Sequence, residues 1–450
     1  MQVASPATGG RERIAIVGGG MLGLGLARAL APSGANVSVF EAAPAFGGLA
    51  ATWQLGGVEW DRHYHVILAS DAHLRRLLDD LGLGEELVLG KVGTGFYSGG
   101  RFHPMNGAVD FLRFPPLGLI DKFRLGATIL LGSRITDGTK LERVSVEAWL
   151  RKYSGNRTFE RIWRPLLRAK LGERYRDASA AFIWAIIVRL YAARRAGLGA
   201  ERFGYVRGGY RRIIEALARD LSAKGVELVS SARVTSVERA GAEVAVTFAD
   251  ATVRTFDRVV VTLPAPRAAA LVPALNDDER DRLASKTYGG IVCASLLLDQ
   301  PLGPYYVTNL TDEWVPFSAV IDMGTIVDRA EWGGRSIVYL PKYVAPDDPL
   351  FEASDDAIRE AFLGALERMY PSFSRERVRA FAVSRVREVF AIATLGYSGH
   401  LPPIATSVPG VYTLNSAHIV NGTLNVNETL QLVERGVAAL GPLNAAAGTP

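Results

Sequence analysis

The stretch from residue 13 to residue 50 constrains this chain more than any other. An apolar run, Ile14-Ala15-Ile16-Val17, ends in Gly18-Gly19-Gly20-Met21-Leu22-Gly23, and a helical stretch then leads to Asn36-Val37-Ser38-Val39-Phe40-Glu41. Strand, glycine turn, helix and second strand closing on an acid, in that order, make a dinucleotide-binding unit. Gly18 allows the tight turn off the strand, Gly20 lets backbone approach a pyrophosphate, and Gly23 lets the helix pack closely on the sheet. The start of the helix, at Met21 and Leu22, offers free N–H groups and a positive dipole end to phosphates. Glu41 ends the second strand, where a carboxylate can bond ribose hydroxyls.

The residues after Glu41 separate flavin from nicotinamide. The run Pro44-Ala45-Phe46-Gly47-Gly48-Leu49-Ala50 resembles the second glycine signature of the superfamily of FAD proteins that holds amine oxidases, protoporphyrinogen oxidases and phytoene desaturases. The resemblance implies that Gly47, Gly48 and Leu49 bring backbone close to the flavin side of the dinucleotide. Members usually carry Arg after the pair; Leu49 removes one phosphate or flavin contact and leaves the glycine geometry intact. Trp60-Asp61-Arg62-His63-Tyr64-His65, Trp163-Arg164-Pro165-Leu166-Leu167 and Gly204-Tyr205-Val206-Arg207-Gly208-Gly209-Tyr210 resemble a protoporphyrinogen oxidase-like branch. UDP-galactopyranose mutases share a similar opening with a His-rich segment after the pair.

The superfamily implies an α/β fold: a Rossmann-like FAD-binding domain with a parallel central sheet, interrupted by an α+β substrate domain. The FAD-binding domain is expected from 12–70, 204–285 and 386–442, and the substrate domain from 71–203 and 286–385. Within the first substrate segment the apolar periodicity predicts helices near 74–81, 146–153 and 183–193. Later helices are expected at 210–224, 356–368 and 427–440, and strands at 226–229, 234–237, 243–248, 259–264, 291–298, 336–340 and 410–415. In the family, backbone at the position of Val234 pairs with adenine; the residue alone reads equally as a hairpin edge. The closing strand and helix resemble the third FAD contact, where Asn415, Asn425 and Val426 would meet the ribityl chain or pyrophosphate. Cysteine is absent near that loop, so FAD is expected to be non-covalent.

At 450 residues the chain can hold two or three domains, and 48% apolar with 22% charged residues is a globular composition. The net charge, 51 − 46 = +5, gives no argument for nucleic acid. One cysteine excludes intrachain disulfides and fits a reducing compartment. Residues 1–11 lack the apolar core of a secretory signal, and no run approaches the ~18 apolar residues of a spanning helix, so a cytoplasmic location is expected. The apolar, proline-containing segment 111–120, followed by Lys122 and Arg124, could dip into a membrane surface as a peripheral contact, or line the substrate domain as loop and helix. The sequence does not constrain the oligomeric state.

His63 and His65 share one face of an extended segment, with Asp61 beside them. A metal site would need further ligands, and His73, His103, His400 and His418 are scattered, so no metal is expected. Either both histidines are structural, or one lies near the flavin ring and substrate, where a neutral imidazole could orient or accept a proton; His65 is then first choice. Amine oxidases carry, on a substrate-domain strand ending in proline, a lysine that holds a water near flavin N5. Counting back from Pro301, that position falls at or near Cys293, and 289–301 contains no lysine. Cys293 itself reads as core. Arg161, Arg164 and Arg168 share one helical face near Lys170 and Arg174; that face is either solvated or turned inward toward an anionic substrate. Lys342 reads as a strand-end residue. The chain is thus expected to be an FAD-dependent oxidoreductase that removes hydride and proton from a small or apolar organic substrate, as an oxidase, dehydrogenase or desaturase. The alternatives are a redox-neutral, mutase-like flavoenzyme acting on a sugar nucleotide and a non-catalytic flavin-binding protein.

Overall fold

Arg13–Val17 is the central strand of a five-stranded, all-parallel sheet. Asn36–Phe40 and Glu227–Val229 lie to one side of it, and Arg258–Val261 and Val411–Thr413 to the other. Its side chains alternate between two cores. Ile14 and Ile16 pack under the helices Met21–Leu30, Gly209–Ala223 and Val426–Leu440. Ala15 and Val17 pack against the antiparallel strands Val234–Ala240 and Glu243–Phe248 and the helix Ala265–Leu271. Burial on both faces explains why residues 14–17 and 259–261 read as unbroken apolar runs. The computed structural model describes residues 11–196, 202–420 and 422–442. Residues 1–10, read above for a secretory signal, and the Ala/Gly-rich 443–450 lie outside them.

The second large sheet is mixed and seven-stranded. Tyr288–Leu298, buried along its whole length, pairs antiparallel with Ser336–Val344 and Val378–Ala391. Ala319–Asp322, Val307–Leu310, Thr94–Ser98 and Arg101–Pro104 extend it on the Ser336–Val344 side. A layer of helices, Leu119–Arg134, Val146–Ser154, Arg164–Leu171 and Ala180–Ala196, builds a further core around Trp149, Phe159 and Trp163. The expected α/β architecture is present, with a parallel Rossmann-like sheet and a mixed α+β region.

The structure departs from the sequence reading inside 71–203, which is not all helical. Leu87–Lys91, Thr94–Ser98 and Arg101–Pro104 are strands. The last two form a hairpin whose turn residues, Gly99 and Gly100, both have positive φ (61° and 73°), the combination a tight two-residue turn requires. Val378–Ala391 passes without a break through residue 386, so the mixed sheet runs directly into the segment that returns to the parallel sheet.

Candidate functional site

A cavity of about 590 Å³ lies at the carboxyl ends of the parallel strands and extends to the mixed sheet. Gly18 and Gly20 line it after the first strand, Glu41 after the second, Thr262, Leu263 and Pro264 after Arg258–Val261, and Ser416 beyond Val411–Thr413. Ligands of open α/β sheets bind in this position, where several strand ends converge. The far wall comes from Ile291, Tyr343 and Phe390 of the mixed sheet, Lys170 of Arg164–Leu171, and Phe182, Ile186 and Arg189 of Ala180–Ala196.

The glycines test whether a dinucleotide fits. Gly18 has φ +115°, and a Cβ there would lie 2.5 Å from Thr262 Oγ1, so the tight turn admits no side chain. A Cβ on Gly23 would lie 1.9 Å from the Gly18 carbonyl oxygen: the helix packs onto the turn itself as well as the sheet. Gly20 differs, because a Cβ there would meet only Gly48 Cα, at 3.9 Å, and would project into the cavity. Gly47 N–H donates to Gly19 O at 2.8 Å, so the two glycine loops form one wall. The helix Met21–Leu30 has no capping side chain and no acid in its first turn, leaving its N–H groups and dipole to an anion. Glu41 is held at the cavity by Gly19 N–H and Ala43 N–H, both at 2.8 Å. These residues fit the pyrophosphate and ribose of FAD.

Met21, Leu22, Gly47, Gly48, Leu49, Asn425 and Val426 also line the cavity, whereas Gly23, Val234 and Asn415 do not. Val234 sits opposite Phe248 at the start of the three-stranded sheet, and nearby Ala232 donates to Glu41 O at 2.8 Å. Asn425 spends its amide locally, its Oδ1 capping the last helix at Glu428 N–H and its Nδ2 donating to Thr423 O. Asn415 is buried; its Oδ1 accepts from Ala417 N–H, and its Nδ2 has no partner.

Both histidines line the cavity, but their bonding differs. His63 Nδ1 faces Leu49 O at 3.3 Å, so it carries the proton and Nε2 accepts from Ser384 Oγ at 3.0 Å. Burial, with the neighbouring His65 and Arg62, lowers its pKa to about 3. His65 Nδ1 donates to His63 O at 2.9 Å, which leaves Nε2 as an acceptor with no partner among the described residues. Its ring packs on Tyr210 at 4.8 Å, and burial lowers its pKa to about 4. Both are neutral near pH 7. Asp61 faces away from the cavity: it accepts from Tyr210 N–H at 2.9 Å, and burial raises its carboxyl to about 7. Among the described residues no three His, Cys, Asp or Glu side chains are placed to hold a metal.

Cys293 is sealed in the core, paired across the sheet with Pro341 and Ser384, and Ile291 is the residue of that strand that reaches the cavity. The cavity nevertheless contains a lysine. Lys170 enters from the helix Arg164–Leu171, its Nζ 3.6 Å from the centre of the Tyr343 ring and 5.0 Å from that of Phe390, and burial lowers its pKa to about 7. It does not share the arginine face, because two residues beyond Arg168 turn a helix by ~200°. That face is spent outside the cavity: Arg164 pairs with Glu160, Arg168 with Glu173 and Glu313, and Arg161 donates to Pro116 O. The inward, anion-binding alternative for these arginines is not realised. Lys342, half-buried, does not line the cavity either.

The family model of flavin containing amine oxidoreductases matches residues 23–423. The chain is 24% identical to coproporphyrinogen III oxidase of Propionibacterium freudenreichii subsp. freudenreichii over 410 residues, covering 78% of this chain and 76% of that one. It is 27% identical to the "Probable zeta-carotene desaturase" of Synechococcus elongatus over 205 residues, 40% of this chain and 42% of the other. Among solved structures, an oxidoreductase from Methanosarcina mazei superposes with a TM-score of 0.73 at 18% identity, covering 94% of this chain and 99% of that one. Putrescine oxidase bound to putrescine gives 0.73 at 18% identity, with 96% and 98% covered, and reduced UDP-galactopyranose mutase gives 0.71 at 16%, with 96% of each covered. The cofactor is FAD, and the chain is an oxidoreductase of a small organic substrate that belongs to the flavin containing amine oxidoreductase family.

Proposed function

We propose that this enzyme removes hydride and proton from a largely apolar substrate held between Ile291, Phe182, Ile186 and Phe390, beside His65. The observation that carries this is the far wall of the cavity, where the aliphatic and aromatic side chains of Ile291, Phe182, Ile186 and Phe390 predominate; its charged side chains other than Lys170 are paired, Arg189 with Asp71 and Glu388 with Arg267. Bound FAD supplies the two-electron redox chemistry. The chain's own residues bind, orient and exclude water. Gly18, Gly20, Met21 and Leu22 hold the pyrophosphate, Glu41 the ribose, Gly47, Gly48 and Leu49 the flavin side, and Val234 the adenine. Asn415, Asn425 and Val426 contribute through the closing loop and helix end. His65 Nε2, the open acceptor at the cavity, orients the substrate and takes the proton that leaves with the hydride, its lowered basicity making that protonation transient. His63, with both nitrogens engaged, positions His65 through its carbonyl. In this division of labour, 12–70, 204–285 and 386–442 hold FAD, while 71–203 and 286–385 shape the substrate end.

A sugar-nucleotide mutase would need a cationic clamp for diphosphate. Among the described residues lining the cavity the Lys and Arg side chains are Lys170 and Arg189, and Arg189 is paired with Asp71 at 3.4 Å. Oxidation is therefore the reading the cavity supports best. Anaerobic addition of candidate substrates to the oxidised enzyme should bleach the flavin band. Turnover only after prior reduction with dithionite would establish the mutase class instead.

We also propose that the enzyme is cytoplasmic and touches an anionic membrane surface peripherally. Leu119, Ile120 and Phe123 project from one helix with 77–78% of their surface exposed, and exposed Arg113 and Arg124 lie beside them, whereas Lys122, read above as part of the basic flank, is buried and donates to Leu112 O. Such an apolar patch with a basic border suits a lipid headgroup boundary. No helix among the described residues is long and apolar enough to cross a membrane. Flotation with phosphatidylglycerol vesicles should carry the protein upward, and Ile120→Ser with Phe123→Ser should abolish this; equal flotation of the double variant would refute the contact.

A further inference from the structure

Among the described residues Lys170 has neither a hydrogen bond nor an acidic partner; its Nζ lies over the rings of Tyr343 and Phe390. The cavity's other charged side chains are all engaged. Arg189 faces Asp71, Glu388 pairs with Arg267, and Glu41 is tied to two backbone N–H groups. A buried ammonium without a counter-charge is costly, and a charge that is kept in a binding cavity is expected to find its partner in the ligand. A second observation lies on the same wall. The hydroxyls of Tyr64 and Tyr343 are hydrogen-bonded to each other, and neither has another partner among the described residues. One of the two must donate to the other, so one phenolic proton is left over to donate elsewhere. Ammonium and phenol together give two donors for one anionic group, while the walls at Ile291, Phe182 and Ile186 suit an apolar body.

We infer that the substrate is an apolar carboxylic acid whose carboxylate is held by Lys170 and the free hydroxyl of the Tyr64–Tyr343 pair. This deepens the oxidative reading and rests on it. Lys170 is thereby a specificity-determining residue. It selects against amines as well, since a protonated amine would meet a cation with no acid beside it.

Phenylacetate and its neutral counterpart phenylacetamide are probes of nearly equal shape. Each is titrated into the FAD-loaded holoenzyme and read through the change in the flavin absorption band. Phenylacetate should bind at least tenfold more tightly than the amide in the wild-type protein. The preference should vanish in Lys170→Met, persist in Lys170→Arg and shrink when both hydroxyls are removed in Tyr64→Phe with Tyr343→Phe. Equal affinity of acid and amide, no response to the acid, or an acid preference that survives Lys170→Met would overturn the inference. So would loss of FAD from Lys170→Met, which would assign the lysine to the cofactor. If Lys170→Met does not fold, Lys170→Gln takes its place with the same expectation. A holoenzyme that bleaches with a neutral substrate but ignores the carboxylate overturns this inference alone, whereas a protein that bleaches with no substrate overturns the oxidative reading beneath it.

Discussion

Gly20 and Gly23 lie three residues apart in one motif, yet the structure gives them different work, and substitution separates cofactor binding from folding. At Gly23 a methyl group would sit 1.9 Å from the Gly18 carbonyl oxygen and 3.3 Å from Ile16 Cγ2, both fixed by the turn and the central strand. An ordinary contact needs the helix to retreat by more than 1 Å, an overpacking cost of about 1–3 kcal/mol. At Gly20 φ is −74° and ψ 178°, which any residue adopts, and the nearest atom to a new Cβ is 3.9 Å away. The side chain enters the cavity instead, where it holds the pyrophosphate off the helix N-terminus. Losing two charge-assisted hydrogen bonds, at about 1.5–3 kcal/mol each, weakens FAD by two to four orders of magnitude. Gly20→Val should therefore purify colourless, with an apo-protein thermal midpoint near that of wild-type apo-protein. Gly23→Ala should lower the apo midpoint and lose flavin as well. Both are read by the ratio of flavin to protein absorbance and by thermal melts of stripped protein. Full FAD occupancy in Gly20→Val, or an apo midpoint depressed as far as that of Gly23→Ala, would refute the assignment of Gly20 to the pyrophosphate.

Because burial holds His63 near pKa 3 against 6.5 for an ordinary histidine, the unfolded chain binds a proton there between pH 6.5 and 3 that the folded chain does not. Stability is thus lost as pH falls through that window, by up to ~1.4 kcal/mol per pH unit. His63→Gln should remove this slope, so its urea midpoint should fall less than the wild-type midpoint between pH 6 and pH 5; parallel falls would contradict it. Cys293→Ser should leave the flavin spectrum unchanged, since the thiol is in the core and away from the cavity. The buried hydroxyl should cost about 1–3 kcal/mol. A shifted flavin band would place the residue against the ring. Common primary amines should yield no hydrogen peroxide, given a lysine and no free acid at the substrate wall, and rapid peroxide release would reverse that expectation. His65→Phe should keep FAD and reduce turnover, whereas an unchanged rate would leave His65 without a role.

The glycine wall of the cavity was legible because its constraints are local. Gly18, Gly20 and Gly23 act within one turn and one helix, and their spacing alone encodes the geometry seen at the strand ends. The two-residue spacing of His63 and His65 likewise put both at the cavity, but their different bonding depends on Ser384, more than three hundred positions away. Lys170 was obscured by its neighbours. Amid Arg161, Arg164 and Arg168 it read as part of a basic surface, although the 100° step of a helix already places it opposite Arg168. The hairpin at Gly99-Gly100 was missed for another reason: its strands are only five and four residues long. Runs so short carry little alternation, and the paired glycines were the usable signal.

The most direct test of the account is acid precipitation of the freshly purified protein followed by chromatography of the supernatant. The structure predicts one FAD released per chain, with no flavin left in the pellet. Flavin retained by the precipitate, or a supernatant containing nicotinamide dinucleotide in place of FAD, would contradict it.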